Sequence, residues 1–266
     1  MRMTHRLWAL ALPILGVACA GAPTTPSKDV VQALAPTGKL RVGVYPGSPT
    51  SMLRDVASRE DKGVAIDLGK ELAKRLGVPY EQVEYQRVAD VIAGLKSGAA
   101  DFTVSNATPA RAKDVDFTQT ILSLELGYLV PPGSPIASFS DVDRGGVRIG
   151  VTQGSTSQGA LPRLLKNATV VPASNLKAAV EMLSQRKLDA FATNKAVLFE
   201  MSDSLTGSRV LDGRWGLEHL AIAIPKGREP GMTYMQRFVN EVISEGLVMR
   251  AADRAGLRGT AKAESR

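Results

Sequence analysis

Cysteine, histidine and aromatic residues are scarce in this chain of 266 residues. Cys19 is the single cysteine, so no disulfide within the chain can staple the fold. His5 and His219 are the only histidines, which excludes zinc or iron–sulfur sites built on Cys/His clusters and removes most catalytic triads. We therefore expect no metal centre, no bound cofactor and no catalytic residue.

Long runs of positive charge are also missing, although the formal net charge is +7. Lysine and arginine adjoin only as the dipeptides Lys74-Arg75 and Arg186-Lys187, and acidic residues are interleaved throughout. With 6 Phe, 5 Tyr and 2 Trp, few rings are available to stack on bases. A nucleic-acid partner is therefore not expected. The hydrophobic content of 44% excludes a disordered chain.

The chain also lacks an apolar run long enough to cross a bilayer. The longest run, 7–18, follows Arg2 and Arg6 and precedes small residues. A span needs about 20 apolar residues, and this order of segments is typical of a secretory signal peptide. We predict a signal peptide over 1–20, and hence an exported, periplasmic protein.

Two maturation routes stay open at this end. The signal peptide can be cut before Cys19, with a lipid added to the thiol, or cut after Ala20 or Ala22. A lipid at Cys19 would be the only link to the membrane. Residues 21–36, which contain Pro, Thr and Ser, are predicted to form a flexible leader.

The chain contains two internal repeats. The first is a short β-rich strand that runs into a Gly-Ser turn, at 41–44 with Gly47-Ser48 and at 148–151 with Gly154-Ser155. The second places a leucine, an aspartate and an asparagine at equal spacing over 95–106 and 183–194. The offset between the copies is not constant, which argues against a solenoid. We predict two lobes built to one plan.

Helical periodicity and short apolar strands alternate between these motifs. Leu68, Leu72 and Leu76 share one face of a predicted helix that Gly77 ends. Further helices are predicted over 88–95 and 175–183, and buried strands over 101–105 and 189–193. This alternation indicates an α/β fold with doubly wound lobes.

Two longer extended stretches, 122–130 and 218–224, each end in a Pro/Gly breaker. We predict that they carry the chain to the second lobe and back, although both can also be ordinary core strands. Helices over 234–244 and 247–255 would then complete the first lobe. The predicted boundaries are 37–128 with 223–266 for lobe 1, and 129–222 for lobe 2.

Polar motifs follow the predicted strands where each strand ends. Ligands of open α/β sheets bind at these carboxyl ends, where glycine admits a ligand to the backbone and free N–H groups bind anions. A Gly-Ser pair is also a common turn, so each motif alone is weak. The predicted contacts to a ligand are Tyr45, Ser48, Ser105, Asn106, Thr108, Gly154, Ser155, Thr156 and Asn194.

Arg111 is the most informative single residue. With Thr108 as N-cap and Pro109 as first helical residue, Arg111 falls in a first helical turn. The helix dipole disfavours a cation there by ~0.3 to 1 kcal/mol. A guanidinium that binds a carboxylate through two parallel hydrogen bonds would explain this placement. The alternative is a solvated surface arginine.

The order and spacing of five segments identify a family resemblance over roughly residues 37–256. The chain resembles the family-three extracellular solute-binding proteins of bacterial amino-acid ABC importers. The segments are Gly-Val-Ala-Ile-Asp-Leu-Gly-Lys-Glu-Leu-Ala-Lys-Arg-Leu-Gly at 63–77, Leu-Lys-Ser-Gly-Ala-Ala-Asp at 95–101, Ser105-Asn106, Thr-Pro-Ala-Arg-Ala-Lys-Asp-Val-Asp-Phe at 108–117, and Val-Thr-Gln-Gly-Ser-Thr at 151–156.

The resemblance implies a two-lobed periplasmic-binding-protein fold of type II, with two crossover strands. It implies a monomer whose lobes close over a small carboxylate and present it to a membrane permease. In this family Arg111 would grip the carboxylate, and Thr156 would help to hold the same group.

Departures from the family pattern leave the ligand open. Asn194 stands where the family has the aspartate that pairs with an α-ammonium, and neither 48–51 nor Val88 supplies the usual ring. A keto or hydroxy acid would fit, as would an amine held by another acid such as Glu125. Arg87 could reach a second anionic group, although a surface position is expected.

We expect a periplasmic substrate-binding component of an ABC importer. One alternative is a ligand-sensing domain. The other is an enzyme that resembles cyclohexadienyl dehydratases, which would need an acid in the cleft where Asn194 stands.

Overall fold

The computed structural model describes residues 25–55 and 59–261, which form two α/β lobes. The predicted signal peptide and Cys19 lie outside this part of the chain. No helix in the described part is apolar over a bilayer-spanning length. The helices and strands, in chain order, are α1 (Lys28–Leu34), β1 (Leu40–Val44), β2 (Leu53–Arg54), β3 (Asp61–Lys62), α2 (Val64–Leu76), β4 (Tyr80–Glu84), α3 (Val88–Ser97), β5 (Thr103–Asn106), β6 (Val115–Val130), β7 (Arg148–Thr152), α4 (Thr156–Leu164), β8 (Thr169–Ala173), α5 (Leu176–Ser184), β9 (Ala190–Asn194), α6 (Lys195–Ser204), β10 (Arg209–Val210), β11 (Gly216–Pro225), α7 (Glu229–Ser244) and α8 (Leu247–Arg254).

The first lobe is a sheet with helices on both faces. Strand β1 pairs in parallel with β4, and a bridge from Val42 to Phe102 joins it to the chain entering β5. Strand β5 pairs antiparallel with β11, which continues the sheet. Helices α2, α7 and α8 pack their apolar residues into one core with β1 and β5.

The second lobe repeats this plan. Strand β7 lies between β8 and β9 and pairs in parallel with both, and β9 pairs antiparallel with β6. Helices α4, α5 and α6 cover the two faces, and each face has its own apolar cluster. The two copies of the repeat therefore correspond to two similar lobes.

Two long strands join the lobes. Strands β6 and β11 pair antiparallel from Gly216 opposite Leu126 to Pro225 opposite Val115, with shifts of register between Leu220 and Ala223. The predicted crossover strands are therefore present, and β6 begins seven residues before the predicted start at 122. The positions of the lobe boundaries within these strands stay a prediction.

The predicted helices form where periodicity and caps agree. Helix α2 buries Leu68, Leu72 and Leu76, and it ends at Gly77, whose φ of 70° is left-handed. Helix α5 begins after Asn175, whose side-chain oxygen accepts a hydrogen bond from the N–H of Ala178. These local signals fixed the ends of both helices.

The prediction of a flexible leader over 21–36 is wrong for part of that segment. Ser27 caps helix α1 by accepting a hydrogen bond from the N–H of Val30, and Leu34 is buried. A Cβ added to Gly231 of α7 would lie 2.5 Å from Leu34 Cδ2, so glycine lets the two helices pack closely. Burial of Leu34 against α7 orders a segment whose composition indicates a linker.

The aspartate of the second repeat has the same structural role in both lobes. Asp101 accepts hydrogen bonds from the backbone N–H and the guanidinium of Arg41, at the start of β1. Asp189 accepts the corresponding bonds from Arg148, at the start of β7. Asp101 also accepts from Arg228, which precedes α7. Each arginine–aspartate clamp ties the first strand of its lobe to the residues just before a later strand, β5 in lobe 1 and β9 in lobe 2.

Candidate functional site

A cleft between the lobes lies at the carboxyl ends of β1, β5, β7 and β9. The first two strands belong to lobe 1 and the last two to lobe 2, while β11 forms the floor between them. The described residues that line the cleft are Tyr45, Thr50, Gln86, Arg87, Val88, Val104, Ser105, Asn106, Arg111, Thr152, Ser155, Thr156, Leu176, Thr193, Asn194, Val197, Glu218 and Leu220.

Arg111 reaches this cleft from a short turn after β5. The turn is a 3₁₀ helix over Arg111–Lys113 rather than the predicted α-helix, and Thr108 Oγ1 accepts a hydrogen bond from its first N–H. The Nη1 atom of Arg111 donates to Ser105 Oγ at 2.8 Å and to the carbonyl oxygen of Asn106 at 3.4 Å. Burial lowers the pKa of Arg111, and the nearby charge of Glu218 opposes this shift.

Asn106 and Thr156 join the lobes across the cleft. Asn106 ends β5 in lobe 1, and its amide nitrogen donates to Thr156 Oγ1, in the first turn of α4, at 3.3 Å. The amide oxygen of Asn106 accepts from the N–H of His219 on β11. Ser155 caps α4 by accepting from the N–H of Gln158, which directs the positive end of this helix towards the cleft.

Glu218 contributes a buried carboxylate to the floor of the cleft. Its side chain projects from β11, and the residue is only 7% exposed. Thr156 Oγ1 donates to Oε1 at 3.3 Å, and the amide nitrogen of Asn194 donates to Oε2 at 2.9 Å. Burial raises the pKa of this carboxyl group, while the charge of Arg111 and these two hydrogen bonds oppose the shift.

Asn194 has two partners that determine its orientation. It is the N-cap of α6, where its side-chain oxygen accepts from the N–H of Val197, so the amide nitrogen is left to donate to Glu218. The side chain is therefore held between a helix end and a carboxylate, and an acid at 194 would stand beside a second acid.

Most of the predicted ligand contacts come together in this cleft. The predicted residues that line it are Tyr45, Ser105, Asn106, Arg111, Ser155, Thr156 and Asn194.

Ser48, Thr108 and Gly154 are not among the described residues that line the cleft, and their contact with a ligand stays a prediction. Ser48 is fully buried and shares a hydrogen bond with Thr50, while Thr108 caps the turn of Arg111. The N–H of Gly154 donates to the side chain of Gln158. Each lies at a strand end as predicted, but its polar group satisfies the local backbone or a neighbouring side chain.

Glu125, the acid proposed to hold an amine, is also placed elsewhere. Its carboxylate forms ion pairs with Lys195 at 2.7 Å and Arg214 at 3.6 Å, and these pairs lower its pKa. Arg87, for which a surface position was expected, instead lines the cleft and bridges the lobes. Its Nη1 donates to the side-chain oxygen of Gln153 at 2.8 Å.

Glu218 is the charged residue of the cleft that sequence reasoning missed. The stretch 218–224 was predicted as a strand, and along it Glu218 has the same parity as Leu220, Ile222 and Ile224, all buried. A charged residue in register with the apolar face of a strand signals a buried polar site.

The described residues contain no group of three or more His, Cys, Asp or Glu side chains able to hold a metal ion. The cleft offers hydrogen bonds and charges of both signs, from the guanidinium groups of Arg87 and Arg111, the carboxylate of Glu218 and several hydroxyl and amide groups.

Two lobes that share a pair of strands and meet over a polar cleft define a protein that binds a solute between its lobes. The chain belongs to the bacterial extracellular solute-binding proteins, family 3, whose model matches residues 40–254. The predicted family and the type II fold are confirmed, and the chain is an extracellular solute-binding protein.

Known relatives span most of the chain. It is 27% identical to the ABC transporter glutamine-binding protein GlnH of Bacillus subtilis (strain 168). The aligned 228 residues cover 82% of this chain and 81% of GlnH. The crystal structure of the ancestral amino acid-binding protein AncCDT-1, a precursor of cyclohexadienyl dehydratase, is similar with a TM-score of 0.72 and 26% identity, over 84% of this chain and 97% of that one.

A solute receptor for L-cysteine from Neisseria gonorrhoeae has a TM-score of 0.75 over 85% of this chain and 92% of the receptor. Its identity of 22% means that this likeness shows the fold alone.

Proposed function

We propose that the chain binds a small organic carboxylate between its lobes and delivers it to the permease of an ABC importer. The observation that carries this proposal is the guanidinium of Arg111 in a cleft lined by both lobes. Its hydrogen bonds to described residues use Nη1, so Nε and Nη2 are available to bind a carboxylate in parallel.

Hydrogen-bond donors of the second lobe complete the anion site. Ser155 and Thr156 open helix α4 at the cleft, where helix N–H groups and the helix dipole favour a negative charge. A carboxylate between Arg111 and the start of α4 would contact both lobes at once. Such a ligand stabilises the closed arrangement because only that arrangement supplies both sets of contacts.

The names of the relatives support an amino acid or a close analogue as the solute. GlnH is a glutamine-binding protein, and AncCDT-1 is described as an amino acid-binding protein. We infer that this chain is likewise a binder and not an enzyme. We also propose a periplasmic monomer, with either a lipid at Cys19 or a cut after the signal peptide.

The test is a thermal-shift screen of free amino acids, keto acids and hydroxy acids. A ligand at a hundred times its Kd stabilises the folded state by about 2.7 kcal/mol, so at least one carboxylate is expected to raise the melting temperature clearly. Arg111→Ala is expected to abolish the shift. Lys113→Ala, which removes an exposed cation from the same turn, serves as the matched control and is expected to keep it.

Binding by Arg111→Ala with the affinity of the unchanged protein would contradict the proposal. Turnover of a prephenate-like acid by the unchanged protein would instead favour an enzyme.

A further inference from the structure

The cleft presents the guanidinium of Arg111 and the carboxylate of Glu218 on different elements, while its second guanidinium, that of Arg87, is paired with Asp90 at 3.1 Å. Arg111 belongs to the turn after β5 in lobe 1, and Glu218 belongs to the shared strand β11. Each is close enough to alter the ionisation of the other through space. A ligand in the cleft therefore meets charges of both signs.

The hydrogen bonds of Glu218 hold its carboxylate as an acceptor. Thr156 and Asn194 each donate to a different oxygen, so both oxygens are fixed in place. A carboxylate oxygen accepts more than one hydrogen bond, and each of these oxygens retains capacity for a further donor. A residue that is 7% exposed gains little of that hydrogen bonding from bulk water.

Charge balance then distinguishes between classes of ligand. A keto or hydroxy acid would neutralise Arg111 but leave Glu218 buried without a counter-charge and beside a second carboxylate. A buried charge without a partner is strongly unfavourable. A zwitterion neutralises both side chains, with its carboxylate on Arg111 and its ammonium on Glu218.

Building on the proposed function, we infer that Glu218 accepts the α-ammonium of the ligand, and that the solute is an α-amino acid rather than a keto or hydroxy acid. The acid that pairs with the ammonium is supplied by β11, and Asn194 on β9 positions it by donating to Oε2 at 2.9 Å.

This assignment explains why position 194 holds an amide. An aspartate there would place a second carboxylate at hydrogen-bond distance from Glu218, and two adjacent carboxylates share a proton instead of both ionising. The amide keeps the negative charge of the pair at one. The single negative charge could be carried by residue 194 or by residue 218. Moving the acid from 218 to 194 is therefore a direct test.

The experiment uses calorimetric titration with matched series: L-alanine, lactate and pyruvate; L-leucine and its hydroxy and keto acids; L-glutamate, 2-hydroxyglutarate and 2-oxoglutarate. The unchanged protein is expected to bind at least one amino acid about 30-fold or more tightly than its deaminated partners, as for removal of one member of a buried charge pair. Glu218→Gln is expected to remove this preference.

Two further variants separate a charge effect from a disturbed fold. The double variant Asn194→Asp/Glu218→Gln moves the single acid to β9 and is expected to recover the preference for the amino acid. Glu125→Gln removes an acid of the other shared strand, β6, which lies outside the cleft, and is expected to leave the preference unchanged. Circular dichroism checks that each variant is folded.

Persistence of the amino-acid preference in folded Glu218→Gln would overturn the inference and leave the carboxylate site intact. Equal or tighter binding of the deaminated acids by the unchanged protein would overturn it in the same way. If none of the three classes binds, the proposed function fails as well.

Discussion

A carboxylate that is buried in a binding site destabilises the ligand-free protein. Burial raises the pKa of Glu218, which means that folding disfavours the charged form of this side chain relative to the unfolded chain. Arg111 and Tyr45 share the cleft, and burial also disfavours their charged forms. Polar groups that are fixed in advance of binding commonly lower the stability of the free protein.

Glu218→Gln is therefore expected to change how the stability of the ligand-free protein depends on pH. The pKa of Glu218 is higher in the folded than in the unfolded chain. Its contribution to the free energy of unfolding therefore falls as the pH rises from the ordinary carboxyl pKa through the raised one. The amide does not titrate. It can also keep both hydrogen bonds, with its oxygen towards Asn194 and its nitrogen towards Thr156.

The measurement is urea unfolding of both proteins between pH 4 and pH 8, roughly the range in which carboxyl groups with ordinary and raised pKa values ionise. The stability of Glu218→Gln relative to the unchanged protein is expected to increase with pH over this range, because only the unchanged protein must bury a charged carboxylate at the higher pH values. A relative stability that is constant or falls with pH would show that the folded protein does not disfavour the charged carboxylate.

At the scale of the elements, the arginine–aspartate clamps give each lobe the same internal frame but not the same strength. The Asp101 side chain is 0% exposed, and it accepts from Arg228 as well as Arg41. The Asp189 side chain is 34% exposed. Of the arginines that form the two clamps, only Arg148 pairs with it. Arg228 also donates to the carbonyl oxygen of Leu34, so the clamp at Asp101 connects α1 and α7 to the first sheet.

Asp101→Asn is expected to destabilise the protein much more than Asp189→Asn. The first change leaves two largely buried guanidinium groups with a weakened partner, for which about 3 to 5 kcal/mol is typical. The second change weakens a pair that is partly solvated, with an expected loss of about 1 kcal/mol. Urea unfolding at neutral pH compares the two, and equal losses would mean that burial does not set the strength of the clamp.

The elements that could be predicted from the sequence are those with local signals. Helix α2 has a clear apolar face and the left-handed stop at Gly77, and helix α5 has the cap at Asn175. Helix α1 has a cap at Ser27 too, but Leu34 is ordered by α7, which is almost 200 residues away along the chain. The first residues of β6 are likewise paired by β11, and their own sequence alternates only weakly.

The residues of the cleft also fall into those that could be predicted from local signals and those that could not. Ser105, Asn106 and Thr156 were predicted because repeated motifs end at the same edge of a sheet. Glu218 was missed because its role depends on Asn194 and Thr156, which the fold of the second lobe brings to β11. The position of a residue at a strand end can thus be predicted from the local sequence, whereas the partner of a buried charge depends on the tertiary structure.

At the scale of the whole molecule, the lobes are in contact around the cleft. Arg87 bonds to Gln153, and Asn106 bonds to Thr156. Beside them, a Cβ added to Gly154 would lie 2.5 Å from the Cβ of Ala89 in the other lobe. Strands β6 and β11 connect the lobes, and their register shifts between Leu220 and Ala223, so we expect contacts between the lobes at this edge of the cleft to determine how far the lobes close.

Gly154→Ala is expected to weaken ligand binding by opposing closure. The added methyl group would overlap Ala89, and overpacking of this kind typically costs about 1–3 kcal/mol, or roughly 5- to 150-fold in Kd. Gly98→Ala is the matched control. Gly98 has a φ of 74°, against 73° for Gly154, and nothing lies within 4 Å of its added Cβ, so both variants strain the backbone equally.

A double variant isolates the contact between the lobes. Gly154→Ala/Ala89→Gly removes the opposing methyl group and is expected to restore most of the lost affinity, since the added Cβ would then face the backbone of residue 89 at 3.9 Å. Titration with the tightest amino acid of the panel gives Kd, and small-angle scattering gives the ligand-induced compaction. If Gly154→Ala and Gly98→Ala bind equally well, the distance between Gly154 and Ala89 does not limit closure, and the strain at a left-handed residue accounts for any loss in both.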